Sequence, residues 1–353
     1  MTSPAPPMPA PAVDALEEPP RISVVVIAHE RPTYLGEALR SVSAQQIPEG
    51  RVEKILVKNF HDTATDALCV ELGVENIFCG EQSATLKVRT GLHACRAPII
   101  TMLDYDDRYR AGRLARVLGE FRANPQLGFF RNGMAVIDGS GAPFPPRELP
   151  LSLAWMGRHR RILLRDADKG HTSPRLHASR PDFCVSTMAW RREVSADLDP
   201  YWNRLKFSAD SLLFAAAWAS PYDLVIEPTR LTEYRIHGAN VSGVARGGAA
   251  ITPQREAWER QRTSDLEVLE QFAAQHDRPE LLLDLRLRSY RDRVARRLGA
   301  PEAHRADARA LAAELPSLLQ PPTSVGLLLQ SSVCLGASFL SPSLGRWVAS
   351  HTT

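Results

Sequence analysis

From residue 22 to residue 121, apolar β-branched runs alternate with helical stripes. Residues 22–28 (Ile-Ser-Val-Val-Val-Ile-Ala) have the near-continuous apolar character of a strand buried on both faces. Thr33 is placed to cap a helix whose Leu35, Ala38, Leu39 and Val42 fall on one stripe. Strand character returns at 54–58, 75–78 and 98–103, and helical character up to Leu72, at 84–95 and at 113–121. This order predicts an α/β fold, a Rossmann-like and mostly parallel sheet with helices on both faces, wound by right-handed crossovers. Ligands of such sheets bind beyond the carboxyl ends of the strands. Those ends carry His29-Glu30-Arg31, Lys58-Asn59 and Asp104-Tyr105-Asp106-Asp107. No G-x-G-x-x-G or G-x-x-x-x-G-K segment is present, which argues against a dinucleotide oxidoreductase or a P-loop enzyme.

The rest of the 353 residues reads less regularly. A strand over 127–137 is turned by Asp138-Gly139-Ser140-Gly141, and a Pro-rich basic connection follows from Pro143 to Pro181. A short strand at 184–190 and a helix at 208–218 lead to two strands, 223–226 and 231–236, joined by Glu227-Pro228-Thr229-Arg230. Helices are expected at 255–273, 278–298 and 303–319. The apolar segment Gly326–Leu340 is interrupted by Gln330, Ser331, Ser332 and Ser338, and is too short to span a bilayer. It suits a packed helix or an interfacial segment. Six arginines precede it between Arg286 and Arg297, and they form either a solvated helix face or a site of peripheral membrane contact.

Composition excludes several classes. Lys+Arg 43 against Asp+Glu 40 leaves a net charge of +3, too balanced to make nucleic acid a main partner. Five scattered cysteines without a C-x-x-C pair argue against a zinc knuckle or a disulfide framework, and fit reduced thiols in a cytoplasmic enzyme. The first twenty residues carry Pro at 4, 6, 7, 9, 11, 19 and 20 and have no apolar core; they read as a disordered leader, not a secretory signal. The oligomeric state stays open.

Asp104, Asp106 and Asp107 follow a buried strand, where carboxylates this close are costly to ionise together. A divalent cation relieves that repulsion, and one or two side-chain oxygens suit Mg²⁺ or Mn²⁺ completed by substrate phosphates. The alternative is an acidic turn favoured by the positive end of the helix beginning near Arg110.

Four elements in this order resemble the family 2 glycosyltransferases of the GT-A fold. They are Val24-Val25-Val26-Ile27-Ala28-His29-Glu30-Arg31-Pro32, Met102-Leu103-Asp104-Tyr105-Asp106-Asp107, Asp210 within Phe-Ser-Ala-Asp-Ser-Leu-Leu-Phe, and Tyr234-Arg235-Ile236-His237-Gly238-Ala239-Asn240-Val241-Ser242. The resemblance implies inverting sugar transfer from a nucleotide-diphosphate donor to a saccharide or other hydroxyl-bearing acceptor. It assigns residues 21–126 to the donor half, 127–245 to the acceptor and catalytic half, and leaves 246–353 as a helical extension. It makes Ala28, His29, Glu30, Arg31, Lys58, Asn59, Lys87, Asp104 and Tyr105 nucleotide-binding. Asp106, Asp107 and His237 become metal residues, and Asp210 the general base. Ser186, Thr187 and Trp202 fall in the acceptor region. Trp155, Trp190 and Trp202 are candidates to stack on sugar rings or to fill the core.

Three positions depart from the family pattern. Lys58 stands where an Asp usually reads the nucleobase, and an ammonium cannot accept a pyrimidine N–H. Either the donor is not a uridine nucleotide or Asn59 substitutes. Lys87-Val88-Arg89 replaces a basic and amide pair out of strict register, and Ala209 stands where an acid often precedes the base. Two rivals remain. A nucleotidyltransferase would show a Gly-rich phosphate loop after the first strand, which His29-Glu30-Arg31-Pro32 lacks. A GT-A-like module without catalysis would accommodate Lys58. Asp210 also suits the first turn of a helix, and His237 a hydrogen-bonded loop.

Overall fold

The computed structural model describes residues 19–30, 33–147, 159–169, 181–238 and 253–286, with single positions 149, 153, 240, 290 and 313. In chain order the elements are β1 (Pro20–Ala28), α1 (Leu35–Ser43), β2 (Arg51–Lys58), α2 (Thr63–Leu72), β3 (Glu75–Phe78), α3 (Ala84–Ala94), β4 (Ile99–Asp104), β5 (Arg108–Tyr109) and α4 (Arg113–Ala123). They continue with β6 (Leu127–Asp138), β7 (Ile162–Leu164), β8 (Met188–Arg191), α5 (Asp199–Trp202), α6 (Ala209–Ala219), β9 (Asp223–Ile236) and α7 (Pro253–Gln275).

One sheet runs in the order β3-β2-β1-β4-β8-β6-β9-β5, with β7 added alongside β9. The expected parallel arrangement holds from β3 to β4. Beyond β4 the sheet is mixed: β8 is antiparallel to both β4 and β6, and β6 is parallel to β9. Because side chains alternate along a strand, β1 serves two layers. Val25 and Ile27 pack with Val88 of α3, Leu212 of α6 and Leu269 and Phe272 of α7. Val24 and Val26 pack with Leu35 and Leu39 of α1 and Leu114 and Val117 of α4. Each such fully buried side chain contributes about 1.5–3 kcal/mol, which makes β1 the spine of both layers.

Local chemistry sets the element ends. Asp62 caps α2 by accepting the Thr65 N–H at 2.8 Å, and Gly73 ends the helix in the left-handed region at φ +60°. The expected Thr33 cap is not used: α1 begins after Tyr34, without a side-chain cap bond, and is held by buried Leu35, Ala38, Leu39 and Val42.

The two strands expected at 223–226 and 231–236 are one, β9. Its register against β6 jumps from Asn132↔Glu227 to Gly133↔Arg230, so Pro228 and Thr229 bulge out of an unbroken strand. Gly133 makes room for that bulge, since a Cβ there would lie 2.3 Å from the Pro228 carbonyl oxygen. The expected strand at 184–190 is a 3-10 turn (Val185–Thr187) followed by β8.

The described part of the C-terminal extension belongs to the same core. Leu266, Leu269, Phe272, Leu281 and Leu285 join the layer containing α6. Among the described residues, no helix is long and apolar enough to cross a membrane. The leader expected over residues 1–20 ends earlier, since Pro20 already belongs to β1; residues 1–18, Arg31, most of the basic connection, all of 303–319 but position 313, and the apolar tail lie outside the described residues.

Candidate active site

The carboxyl end of β4 makes a tight acidic turn. Asp107 N–H donates to the Asp104 carbonyl at 3.1 Å, and Tyr105 N–H donates to the Ile27 carbonyl of β1 at 3.0 Å. Asp104 N–H donates to Ser186 Oγ at 3.0 Å, which ties the turn to the 3-10 segment before β8. Burial, reinforced by Asp106 and Asp210, pushes the Asp104 carboxyl up to about 8. Asp106 Oδ2 lies 2.9 Å from His237 Nε2 at the end of β9. Asp107 is buried beneath this pair, with Oδ1 accepting the Arg235 N–H at 3.0 Å and Oδ2 accepting the Cys184 thiol at 3.6 Å. Burial, then Asp106 and Asp104, raise its pKa well above the usual carboxylate range.

Arg235 organises the turn. It is fully buried, and its Nε donates to the Asp106 carbonyl at 2.8 Å. Its Nη2 donates to Glu37 Oε2 at 2.7 Å, and its guanidinium lies over the Tyr34 ring, 4.3 Å from the centroid. Glu37 Oε2 also accepts Arg108 Nη1 at 2.9 Å, while Arg108 Nε donates to Glu233 at 2.8 Å. Asn240 closes the end of β9: its oxygen accepts the His237 N–H and its Nδ2 donates to the Arg235 carbonyl at 3.0 Å. The turn is thereby fixed from β9 and α1 together.

Asp210 stands in the first turn of α6, and two features hold it. Buried Asp265 of α7 accepts the N–H groups of Lys206, Phe207 and Ser208 at 3.0, 2.9 and 2.9 Å, fixing the loop into α6. Cys184 N–H donates to Asp210 Oδ2 at 3.1 Å. Cys184 has a φ of +66°, rare for a residue with a side chain and characteristic of constrained functional backbone.

The β1 and β2 ends make the adjoining edge, since Ile27 pairs with Asp104 and Ala28 with Lys58. Glu30, at φ +53°, donates its N–H to Asn59 Oδ1 at 3.0 Å. Fully buried Lys87 donates from Nζ to His29 Nδ1 at 2.9 Å and to the Glu81 carbonyl at 3.0 Å. Burial lowers the Lys87 pKa. Accepting at Nδ1 places the His29 proton on Nε2. Lys58 turns to the other face: it is buried, donates to the Phe60 carbonyl at 2.8 Å and pairs with Asp66 of α2 at 2.9 Å.

Of the acceptor-region residues, Ser186 and Thr187 are fully buried and Trp202 is 1% exposed, so their side chains offer no surface to an acceptor. Ser186 instead braces Asp104, and Trp202, like Trp190, fills the core. Trp155 lies outside the described residues. Arg235, Cys184, Glu37 and Asp265 are supporting residues to which the motifs assign no role. Arg235 had a signal available, because strand alternation places it on the same face as His237.

Among the described residues no three acid, imidazole or thiol groups converge as a closed metal cage. A cation shared with substrate phosphates needs only one or two protein ligands, and the Asp106–His237 pair supplies an oxygen and a nitrogen beside further buried carboxyls. The carboxylate oxygen fits either Mg²⁺ or Mn²⁺, and the imidazole nitrogen favours Mn²⁺ of the two.

Comparison with known proteins agrees with this geometry. Residues 23–194 match the family model described as Glycosyl transferase family 2. No curated protein matches the chain in sequence. Among solved structures, S. aureus TarS 1-349 in complex with UDP-GlcNAc is 12% identical at a TM-score of 0.52, covering 91% of each chain. The mannosyltransferase PcManGT from Pyrobaculum calidifontis, in complex with GDP-Man and Mn2+, is 15% identical at a TM-score of 0.53, covering 95% of this chain and 85% of its own. At such identities the likeness is one of fold, and both are similar to this chain over nearly its whole length. The acidic turn and the sheet that presents it thus sit in a GT-A architecture, and residues 23–194 carry the match to glycosyltransferase family 2.

Proposed function

We propose that this chain transfers a hexosyl or related sugar from a nucleotide-diphosphate donor to a hydroxyl of a saccharide or similar acceptor, with inversion and with Mg²⁺ or Mn²⁺. The observation that carries the reading is the convergence of Asp104, Asp106, His237 and Asp210 at one sheet edge, where Asp210 contributes to the perturbation of Asp104. The donors named for the two structural neighbours, UDP-GlcNAc and GDP-Man, support a nucleotide-sugar.

In this reading Ala28, His29, Glu30, Arg31, Asn59, Lys87 and Tyr105 form the nucleotide edge, with Asp104 toward the ribose. Asp106 and His237 would hold the cation, which supplies Lewis-acid neutralisation of the departing diphosphate. Asp210 takes the proton of the acceptor hydroxyl. Its carboxylate is oriented by the Cys184 N–H and, through the α6 entry loop, by Asp265. Lys58 faces Asp66 rather than this edge, so Asn59 is the polar group that meets the nucleobase.

The test is transfer by Asp210→Asn. A general base contributes about 10²–10⁴-fold, so turnover falls by that factor while Mn²⁺-dependent nucleotide binding persists. Unchanged transfer would sink the assignment. A thermal-shift series with UDP, dTDP, GDP and CMP sugars identifies the donor, because binding stabilises the folded chain by mass action.

A further inference from the structure

Asp106 and Asp107 are adjacent in sequence but differently placed. The Asp106 side chain keeps 14% exposure and meets His237, whereas Asp107 is 1% exposed and spends both oxygens inward. Oδ1 accepts the Arg235 N–H at 3.0 Å and Oδ2 accepts the Cys184 thiol at 3.6 Å. Cys184 also donates its backbone N–H to Asp210 Oδ2 at 3.1 Å. Its carbonyl accepts both the N–H and the hydroxyl of Thr187, at 3.0 and 2.7 Å, which pins a residue held at φ +66°. On the other side, Arg235 Nε holds the Asp106 carbonyl at 2.8 Å. An unbroken line of contacts therefore runs from Asp106 through Arg235, Asp107 and Cys184 to Asp210.

We infer that Asp107 is not a ligand of the cation but forms, with Cys184, a positioning pair that sets the general base relative to the cation-side carboxylate. This rests on the roles given above to Asp106 and Asp210. A metal ligand must present a lone pair to the cleft, and Asp107 faces the interior. Burial and the surrounding acids push the Cys184 thiol well up, so it stays a protonated donor. The pair matters because a misplacement of about 1 Å between reacting groups can cost about 10²-fold in rate.

The experiment uses the full chain with Asp106→Asn, Asp107→Asn, Cys184→Ala and Cys184→Ser. UDP and GDP affinity is measured by calorimetry with and without Mn²⁺, beside steady-state kcat and KM. Asp107→Asn and Cys184→Ala should keep the Mn²⁺ enhancement of nucleotide affinity within about threefold, and lower kcat about tenfold or more without raising donor KM. Cys184→Ser, which retains a donor, should recover much of the lost kcat. The inference is overturned if Asp107→Asn abolishes the Mn²⁺ enhancement as Asp106→Asn does, or if Cys184→Ala turns over like the parent. Should Asp107→Asn fail to fold, the Cys184 pair decides alone. Retention of the Mn²⁺ enhancement by Asp106→Asn would instead overturn the parent reading of the cation site, a separate and recognisable failure.

Discussion

The two halves of the sheet are stabilised in different ways. In the parallel half, β1 and β4 bury mainly hydrocarbon, with Ser23 and Thr101 as their buried hydroxyls, and their ionisable groups stand at the strand ends. In the mixed half the interior is wired. Arg113 is fully buried and donates to Asn132 Oδ1, Thr101 Oγ1 and the Met188 carbonyl at 2.9, 2.9 and 3.1 Å. Arg235 repeats the pattern at the end of β9. The first half can tolerate small packing changes without moving the acidic turn, because hydrophobic burial is not directional. The second half specifies geometry, since each guanidinium fork fixes the direction of the groups it holds.

Arg235→Met should separate the halves most sharply. It removes charge-assisted hydrogen bonds, worth about 1.5–3 kcal/mol each, from the Asp106 carbonyl and Glu37. We expect a loss of about 3 kcal/mol in stability together with loss of Mn²⁺-dependent nucleotide binding, followed by chemical denaturation and calorimetry. Retained binding at reduced stability would show that the turn holds itself. Val26→Ala in β1 is the counterpart. It deletes methyls from a side chain 1% exposed and should cost about 2 kcal/mol. Transfer per folded molecule should not change, and a fall in kcat beyond the folded fraction would erase the distinction.

This contrast also explains what was legible in the sequence. β1 to β4 and their helices announce themselves because buried parallel strands are written as apolar runs, and the acids at the β4 end inherit their location from that pattern. The sequence pattern divides β9 in two, since Pro228 reads as a turn; only the register with β6 and the room at Gly133 reveal a bulge. Asp104, Asp106, Asp210 and His237 were legible as motif residues. Their supports were not, because Arg235–Glu37, Asp107–Cys184 and Asp265–Phe207 join residues 198, 77 and 58 positions apart. Buried arginines carry no local signature either, as Arg113 reads simply as the first residue of an amphipathic helix.

The smallest effect is expected at Lys58, where sequence position and side-chain direction disagree. Its place at the β2 end, paired in register with Ala28, belongs to the nucleotide edge. Its ammonium instead crosses to the α2 face, where Asp66 accepts it at 2.9 Å and also accepts Asn76 Nδ2 at 2.7 Å. Asp66 is half-exposed, so the ion pair is worth roughly 0–1 kcal/mol. Lys58→Met keeps the buried stem and discards the charge. It should lower stability by about 1 kcal/mol or less and leave donor KM and base preference where they were. Asn59→Ala, one residue on, removes the acceptor of the Glu30 N–H and should raise donor KM with little change in kcat. If Lys58→Met alone shifts the base preference, the ammonium reaches the donor despite its partner on α2. Donor recognition at the parallel half would then rest on a buried charge as well as on the Asn59 amide.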